Sequence, residues 1–158
     1  MDSGYIHVYT GEGKGKTTCS LGLALRAVGA GKRVYIGQFI KKGDYSEIIA
    51  IREYLPMIKI EQYGKNIKTG YSKAVSALTA GEYDLVIFDE INTAVYKGFL
   101  DEQSALALID ARPGNTELVL TGRYATPGII EKADLVTEML PVRHYFKKGV
   151  RARKGIEK

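Results

Sequence analysis

The sequence is poor in cysteine: Cys19 is the only one among 158 residues. A lone thiol closes no internal disulfide and builds no metal site by itself, which excludes a disulfide scaffold or a cysteine-ligated metal domain. No apolar run reaches the roughly 18 residues that span a bilayer. The first residues, Met1-Asp2-Ser3-Gly4, have neither the basic stretch nor the apolar core of a signal peptide. A cytoplasmic protein with no membrane partner is expected. No Ser-His-Asp arrangement is legible, no paired cysteines or histidines have metal-ligand spacing, and no aromatic-rich basic stripe like that of an RNA-binding sheet is present. If the chain is an enzyme, its catalysis must rest mostly on positioning and electrostatics.

What is present fits one soluble domain with a single real core: 45 % of residues are hydrophobic and 26 % charged. The net charge of +5 is unevenly spread. Residues 141–158 hold seven basic residues and one acidic residue, so they carry +6 and the preceding 140 residues sum to −1. This tail reads either as a binder of anionic ligand or nucleic acid, or as a solvated terminus.

Short apolar runs alternate with helical patterns, the sign of βα repeats and a parallel sheet. Strands are expected at residues 5–9, 33–40, 58–63, 85–88, 117–121 and 135–140. Helices are expected at 17–28, 46–54, 72–80, 101–110 and 127–132, with a loop around Gly64 and Gly70. The run Leu85-Val86-Ile87-Phe88 suits a central strand covered on both faces. The fold class is α/β: a single domain of the P-loop NTPase type, its mostly parallel sheet of about six strands carrying helices on both faces.

Between the first strand and helix lies Thr10-Gly11-Glu12-Gly13-Lys14-Gly15-Lys16-Thr17-Thr18. Nucleotide phosphates need converging backbone N–H groups backed by a helix N-terminus. Gly11, Gly13 and Gly15 allow positive φ and close approach, while Glu12, Lys14 and Thr18 complete the loop. Lys16 supplies a point charge for phosphate oxygens and Thr17 a hydroxyl for Mg²⁺. The loop departs from the usual pattern in having Thr10 where a first glycine is common, and in the extra Lys14. Residues 1–140 are therefore read as a P-loop nucleotide-binding α/β domain, with 141–158 as a basic tail of the same domain.

Asp89 and Glu90 follow the buried strand at the sheet edge where ligands of open parallel sheets bind. A carboxylate there completes a Mg²⁺ site with Thr17; otherwise the acidic pair simply begins a surface loop. Arg123, after the fifth strand, and Lys41, after the second, reach an anion from the same edge or lie on the surface. His7 reads as structural, Cys19 as a packed core thiol, and His144 either way.

The phosphate loop resembles that of the P-loop ATP:corrinoid adenosyltransferase family. The likeness extends to Gln38-Phe39-Ile40-Lys41, Phe88-Asp89-Glu90, Ala111-Arg112-Pro113-Gly114, Leu120-Thr121-Gly122-Arg123 and Ala133-Asp134-Leu135-Val136-Thr137-Glu138-Met139. The ending, with Pro141-Val142-Arg143-His144, Gly149-Val150 and Gly155-Ile156-Glu157, resembles the family's closing motif. The resemblance implies transfer of the 5′-deoxyadenosyl group of ATP to the Co(I) of a corrinoid such as cobalamin, with release of triphosphate. Co(I) is itself the nucleophile, so no protein base is needed. The resemblance further implies Mg²⁺ held by Thr17 and Glu90, with Asp89 a further candidate, and Lys16 and Arg123 acting on the departing triphosphate. It also implies a nucleotide lying in the reverse of the usual direction, a homodimer, and a reductase that delivers electrons to cobalt.

The chain also departs from the family. It starts almost at the first strand, where many relatives have an extension. Lys65-Asn66-Ile67 follows Gly64 in place of an aromatic segment, and Arg153 follows Ala152 in place of glutamine. These differences fall on the corrinoid side and keep two other readings open. One is an ATP-binding regulatory protein that has lost corrinoid turnover. The other is a nucleic-acid-dependent ATPase using the basic tail, which offers only Tyr145 and Phe146 for stacking.

Overall fold

The computed structural model describes residues 3–158. Six parallel strands form one sheet in the order β3-β2-β4-β5-β1-β6. They are β1 (Ile6–Thr10), β2 (Val34–Phe39), β3 (Ile58–Gly64), β4 (Leu85–Asp89), β5 (Glu117–Thr121) and β6 (Leu135–Glu138). The helices are α1 (Lys16–Gly29), α2 (Ser46–Tyr54), α3 (Ile67–Thr79), α4 (Ile91–Tyr96), α5 (Glu102–Asp110) and α6 (Pro127–Glu131).

Period-two alternation divides the core between the two faces. Leu85 and Ile87 of β4, Val34 and Ile36 of β2 and Val119 of β5 pack with Ala24 of α1 and Ile51 of α2. Their neighbours Val86, Phe88, Tyr35, Phe39, Leu118 and Leu120 pack on the opposite face, against α3, α4, α5 and α6. At about 25 cal/mol per Å² of apolar surface buried, these two layers supply the main driving force for folding.

Three expectations need correction. First, α3 starts at Ile67 rather than near residue 72, so Gly70 is helical rather than part of a loop. Asn66 caps it by accepting from the Thr69 N–H at 3.3 Å. Gly70 is there for space: a Cβ on it would lie 2.6 Å from the Tyr63 ring, and one on Gly37 would lie 2.5 Å from the Tyr63 hydroxyl. Second, Cys19 is exposed, not packed in the core. Helix α1 turns Lys16, Ser20 and Ala24 inward at four-residue spacing, and that phase leaves Cys19 outside. Third, the last strand ends at Glu138 rather than at residue 140; the short helix α4 after Glu90 and the 3₁₀ turn Tyr145–Lys148 are additional to the elements expected.

Candidate active site

The phosphate loop leaves β1 and turns into α1 through Gly15, whose φ of 118° ends the loop in a left-handed conformation. The chain just after β6 braces it. The Gly13 N–H donates to the Met139 carbonyl at 2.7 Å, and the Met139 N–H donates to Thr10 at 2.9 Å. A Cβ on Gly11 or Gly13 would lie 2.5 or 2.6 Å from the Met139 carbonyl oxygen, so both glycines are required by close backbone approach. Thr10, at the place of the missing glycine, is buried, and its hydroxyl accepts from the Ala125 N–H at 3.2 Å.

Lys16 folds back over this loop, donating to the carbonyls of Gly11 at 2.7 Å and Gly13 at 2.6 Å. Burial, and then the nearby Arg123 charge, hold its amine below the ordinary lysine value. An arriving phosphate therefore meets an ammonium that gains by exchanging neutral carbonyls for anionic oxygens.

Asp89 is the centre of a second cluster. It is 1 % exposed, and its side-chain partners come from β2, β5, the start of α1 and Lys41 just past β2. One carboxylate oxygen accepts from the Thr17 hydroxyl at 2.9 Å and the Thr121 hydroxyl at 2.6 Å. The other accepts from Gln38 Nε2 at 3.1 Å and Lys41 Nζ at 2.9 Å. Sheet register explains the meeting, because Gln38 pairs with Asp89 across β2 and β4. Burial would lower the Lys41 amine, but the Asp89 carboxylate, through charge and hydrogen bond, and then Glu90 carry it above its ordinary value. Glu90 starts α4 in a left-handed conformation with φ 63°. Its side chain accepts from the Thr93 hydroxyl at 2.6 Å and lies 3.7 Å from Lys41.

These groups open onto one cleft of about 690 Å³. Of the residues singled out from sequence, Glu12, Gly13, Lys14, Gly15, Lys16, Thr17, Thr18, Lys41, Glu90 and Arg123 line it. Gly11 and Asp89 stand behind the lining as supports. The Glu12 carboxylate is engaged by the Tyr124 hydroxyl at 2.7 Å. His7 is structural, placed between Tyr9 at 3.1 Å and Glu117 at 2.6 Å. His144 is on the cleft wall.

One wall of the site was not foreseen, and a second comes from the tail whose role the sequence left open. The N-terminal end of α2, with Tyr45, Ser46 and Glu47, forms one wall, and Gly155, Ile156, Glu157 and Lys158 form another. The tail is held by Glu157, which accepts from Arg153 at 2.9 Å and also bonds Tyr145. Lys14, the extra loop lysine, reaches the Ile156 carbonyl at 3.4 Å, and the Ser46 hydroxyl donates to Lys158 at 3.0 Å.

The donor set also fits a Mg²⁺ ion. Thr17 and Glu90 could offer hard oxygen atoms at the loop's mouth, with Asp89 behind them, and a cation, the Lys41 ammonium, already lies between these groups. Among the described residues no group of three or more His, Cys, Asp or Glu side chains forms a metal cluster. Such a set suits an ion that arrives with nucleotide oxygens completing its shell.

A lysine-bearing loop between the first strand and helix of a parallel sheet, opening beside the ends of β4 and β5, defines a P-loop nucleotide-binding protein. Comparison with known proteins narrows the class. The profile of the family ATP:corrinoid adenosyltransferase BtuR/CobO/CobP matches residues 2–157, and the chain belongs to that family. It is 35 % identical to a corrinoid adenosyltransferase of Pseudomonas aeruginosa, over 99 % of this chain and 84 % of the relative. It is 34 % identical to corrinoid adenosyltransferase CobA of Salmonella typhimurium, over 99 % of this chain and 86 % of the relative. An Escherichia coli K12 corrinoid adenosyltransferase is 32 % identical over the same shares.

Proposed function

We propose that the chain transfers the 5′-deoxyadenosyl group of ATP to the Co(I) of a corrinoid, forming adenosylcobalamin or a related adenosylcorrinoid and releasing triphosphate. Besides family membership, one observation carries this reading: Lys14, Lys16, Lys41 and Arg123 all line the cleft that the phosphate loop enters. So many cations suit a whole triphosphate that departs as the leaving group.

The cobalt electron pair forms the Co–C bond at C5′ while the C5′–O bond breaks, and that bond's electrons leave on the triphosphate. Co(I) becomes Co(III), so electrons and atoms balance without a protein base. Lys16 exchanges its loop carbonyls for phosphate oxygens, and the loop N–H groups and Arg123 stabilise the charge that grows on the leaving group. Thr17 and Glu90 would hold Mg²⁺, and Asp89 orients Thr17 and Lys41. When bound, the ion neutralises part of the triphosphate charge.

The same reading includes a cytoplasmic homodimer and a reductase that supplies Co(I). Exposed Leu135, Val136, Leu140 and Val142 at the open edge of β6 support self-association. No helix among the described residues is long and apolar enough to cross a membrane.

The test is incubation with Mg-ATP and chemically reduced cobalamin, followed by identification of the phosphate product and the cobalt–carbon absorption spectrum. Triphosphate with adenosylcobalamin supports the transferase. ADP and orthophosphate released on addition of DNA or RNA would favour a nucleic-acid-dependent ATPase. Tight ATP binding without either product would favour a regulatory protein.

A further inference from the structure

Thr17 and Glu90, assigned above to the metal, together with Asp89 already hold a cation. Lys41 Nζ lies 2.8 Å from the Thr17 hydroxyl oxygen, 2.9 Å from Asp89 and 3.7 Å from Glu90. Mg²⁺ binds oxygen at about 2.0–2.1 Å. An ion within that reach of Thr17 and Glu90 would press directly on the Lys41 ammonium.

The backbone beneath this lysine is unusual. Ile40 has φ 53°, in the left-handed region that a β-branched residue enters only under strain. A tight turn accompanies it, the Lys41 N–H donating to the Phe39 carbonyl at 2.6 Å. Strain of this kind persists where surrounding structure over-determines it, and it clusters at switch points. Here the turn aims the lysine of a buried strand end into the cation position.

We propose that Lys41 is the resident cation of the Mg²⁺ position in the nucleotide-free chain, and that it must leave for Mg²⁺·ATP to seat. This rests on the metal assignment made above. Lys41 excludes a divalent ion when no triphosphate is present. The triphosphate reverses the balance, because its oxygens complete the metal shell and also offer the displaced ammonium a new anionic partner. Swinging from the strained turn at Ile40, Lys41 then moves from carboxylate to triphosphate. Metal and nucleotide therefore enter together, and the bare chain does not lose its site to free divalent ions.

The experiment measures Mn²⁺ binding by electron paramagnetic resonance, with and without ATP, using Mn²⁺ as the probe. Without nucleotide, Lys41→Met is expected to bind Mn²⁺ at least tenfold more tightly than wild type, while Lys41→Arg, which keeps the charge, stays as weak as wild type. Lys41→Gln supplies a second neutral side chain should Lys41→Met fail to fold. Equal Mn²⁺ affinity in wild type and the neutral variants overturns the proposal, and so does tight binding by nucleotide-free wild type. The metal assignment is checked separately with ATP present: Mn²⁺ binding to wild type must fall in Thr17→Val and Glu90→Gln. If it does not, that assignment fails and takes the proposal with it. If it does fall but the neutral variants gain nothing, only the proposal fails.

Discussion

Replacing Asp89 by asparagine should be among the most destabilising single-atom changes in this protein. The carboxylate receives two hydroxyls on one oxygen, and an amide and an ammonium on the other. Asparagine keeps an oxygen for Thr17 and Thr121 but turns an N–H₂ group towards Gln38 Nε2 and Lys41 Nζ, donor against donor. Removing one member of a buried ion pair costs about 3–5 kcal/mol. The Lys41 side chain is 23 % exposed, which sets the expectation at the lower end, about 3 kcal/mol. Against a total stability of roughly 5–15 kcal/mol this is a large fraction. With a urea dependence of about 2 kcal/mol per molar, the unfolding midpoint should fall by about 1.5 M. The assay is urea unfolding of wild type, Asp89→Asn, Lys41→Met and the double mutant. The double mutant should cost at least about 1 kcal/mol less than the sum of the singles, because the shared contact is lost only once. A loss below about 1 kcal/mol for Asp89→Asn, or additive singles, would refute Asp89 as the organising charge of the site.

Three further outcomes follow from the same contacts. Gly13→Ala should weaken ATP binding at least about tenfold by calorimetry, since its Cβ meets backbone of residues 139 and 140, which cannot rotate away; unchanged affinity would show that the brace on the loop is soft. Because the folded-state value of Lys41 is raised, its stabilising contribution is complete below the ordinary lysine value of about 10.4 and is lost as pH rises through the higher folded value. The stability gap between wild type and Lys41→Met should therefore narrow from pH 9 to 11, and a constant gap would contradict the pairing. Cys19 is exposed in the single chain and should react with a thiol reagent in native protein at nearly the rate seen in urea; strong protection would place that face of α1 in a subunit contact.

Most of the sheet was legible because its strands are uniform in character. Residues 85–88 and 118–120 are apolar runs, and their positions in the fold match that pattern closely. The loop lysine and threonine were equally readable, since glycine spacing reports backbone geometry directly. The start of α3 was not legible, because Gly70 looks like a breaker until Tyr63 is seen filling the space beside it. Helix α4 was hidden by its length of six residues, too short to show a period. Gln38 and Thr121 became functional only through strand register, which local pattern does not contain. The walls made by residues 155–158 and by the end of α2 depend on long-range return of the chain, so a basic tail and a cleft wall read alike in composition.

The brace between Met139 and the phosphate loop also has a temporal meaning. Strand β1 sits between β5 and β6, so the loop at residues 10–18 meets its support only after more than a hundred further residues have been made. Pairings so distant along the chain form late and slowly. During synthesis the emerging N-terminal half has the local bonds of Lys16 to Gly11 and Gly13 but not the brace from Met139. Full bracing of the nucleotide loop therefore waits for the C-terminal third of the chain.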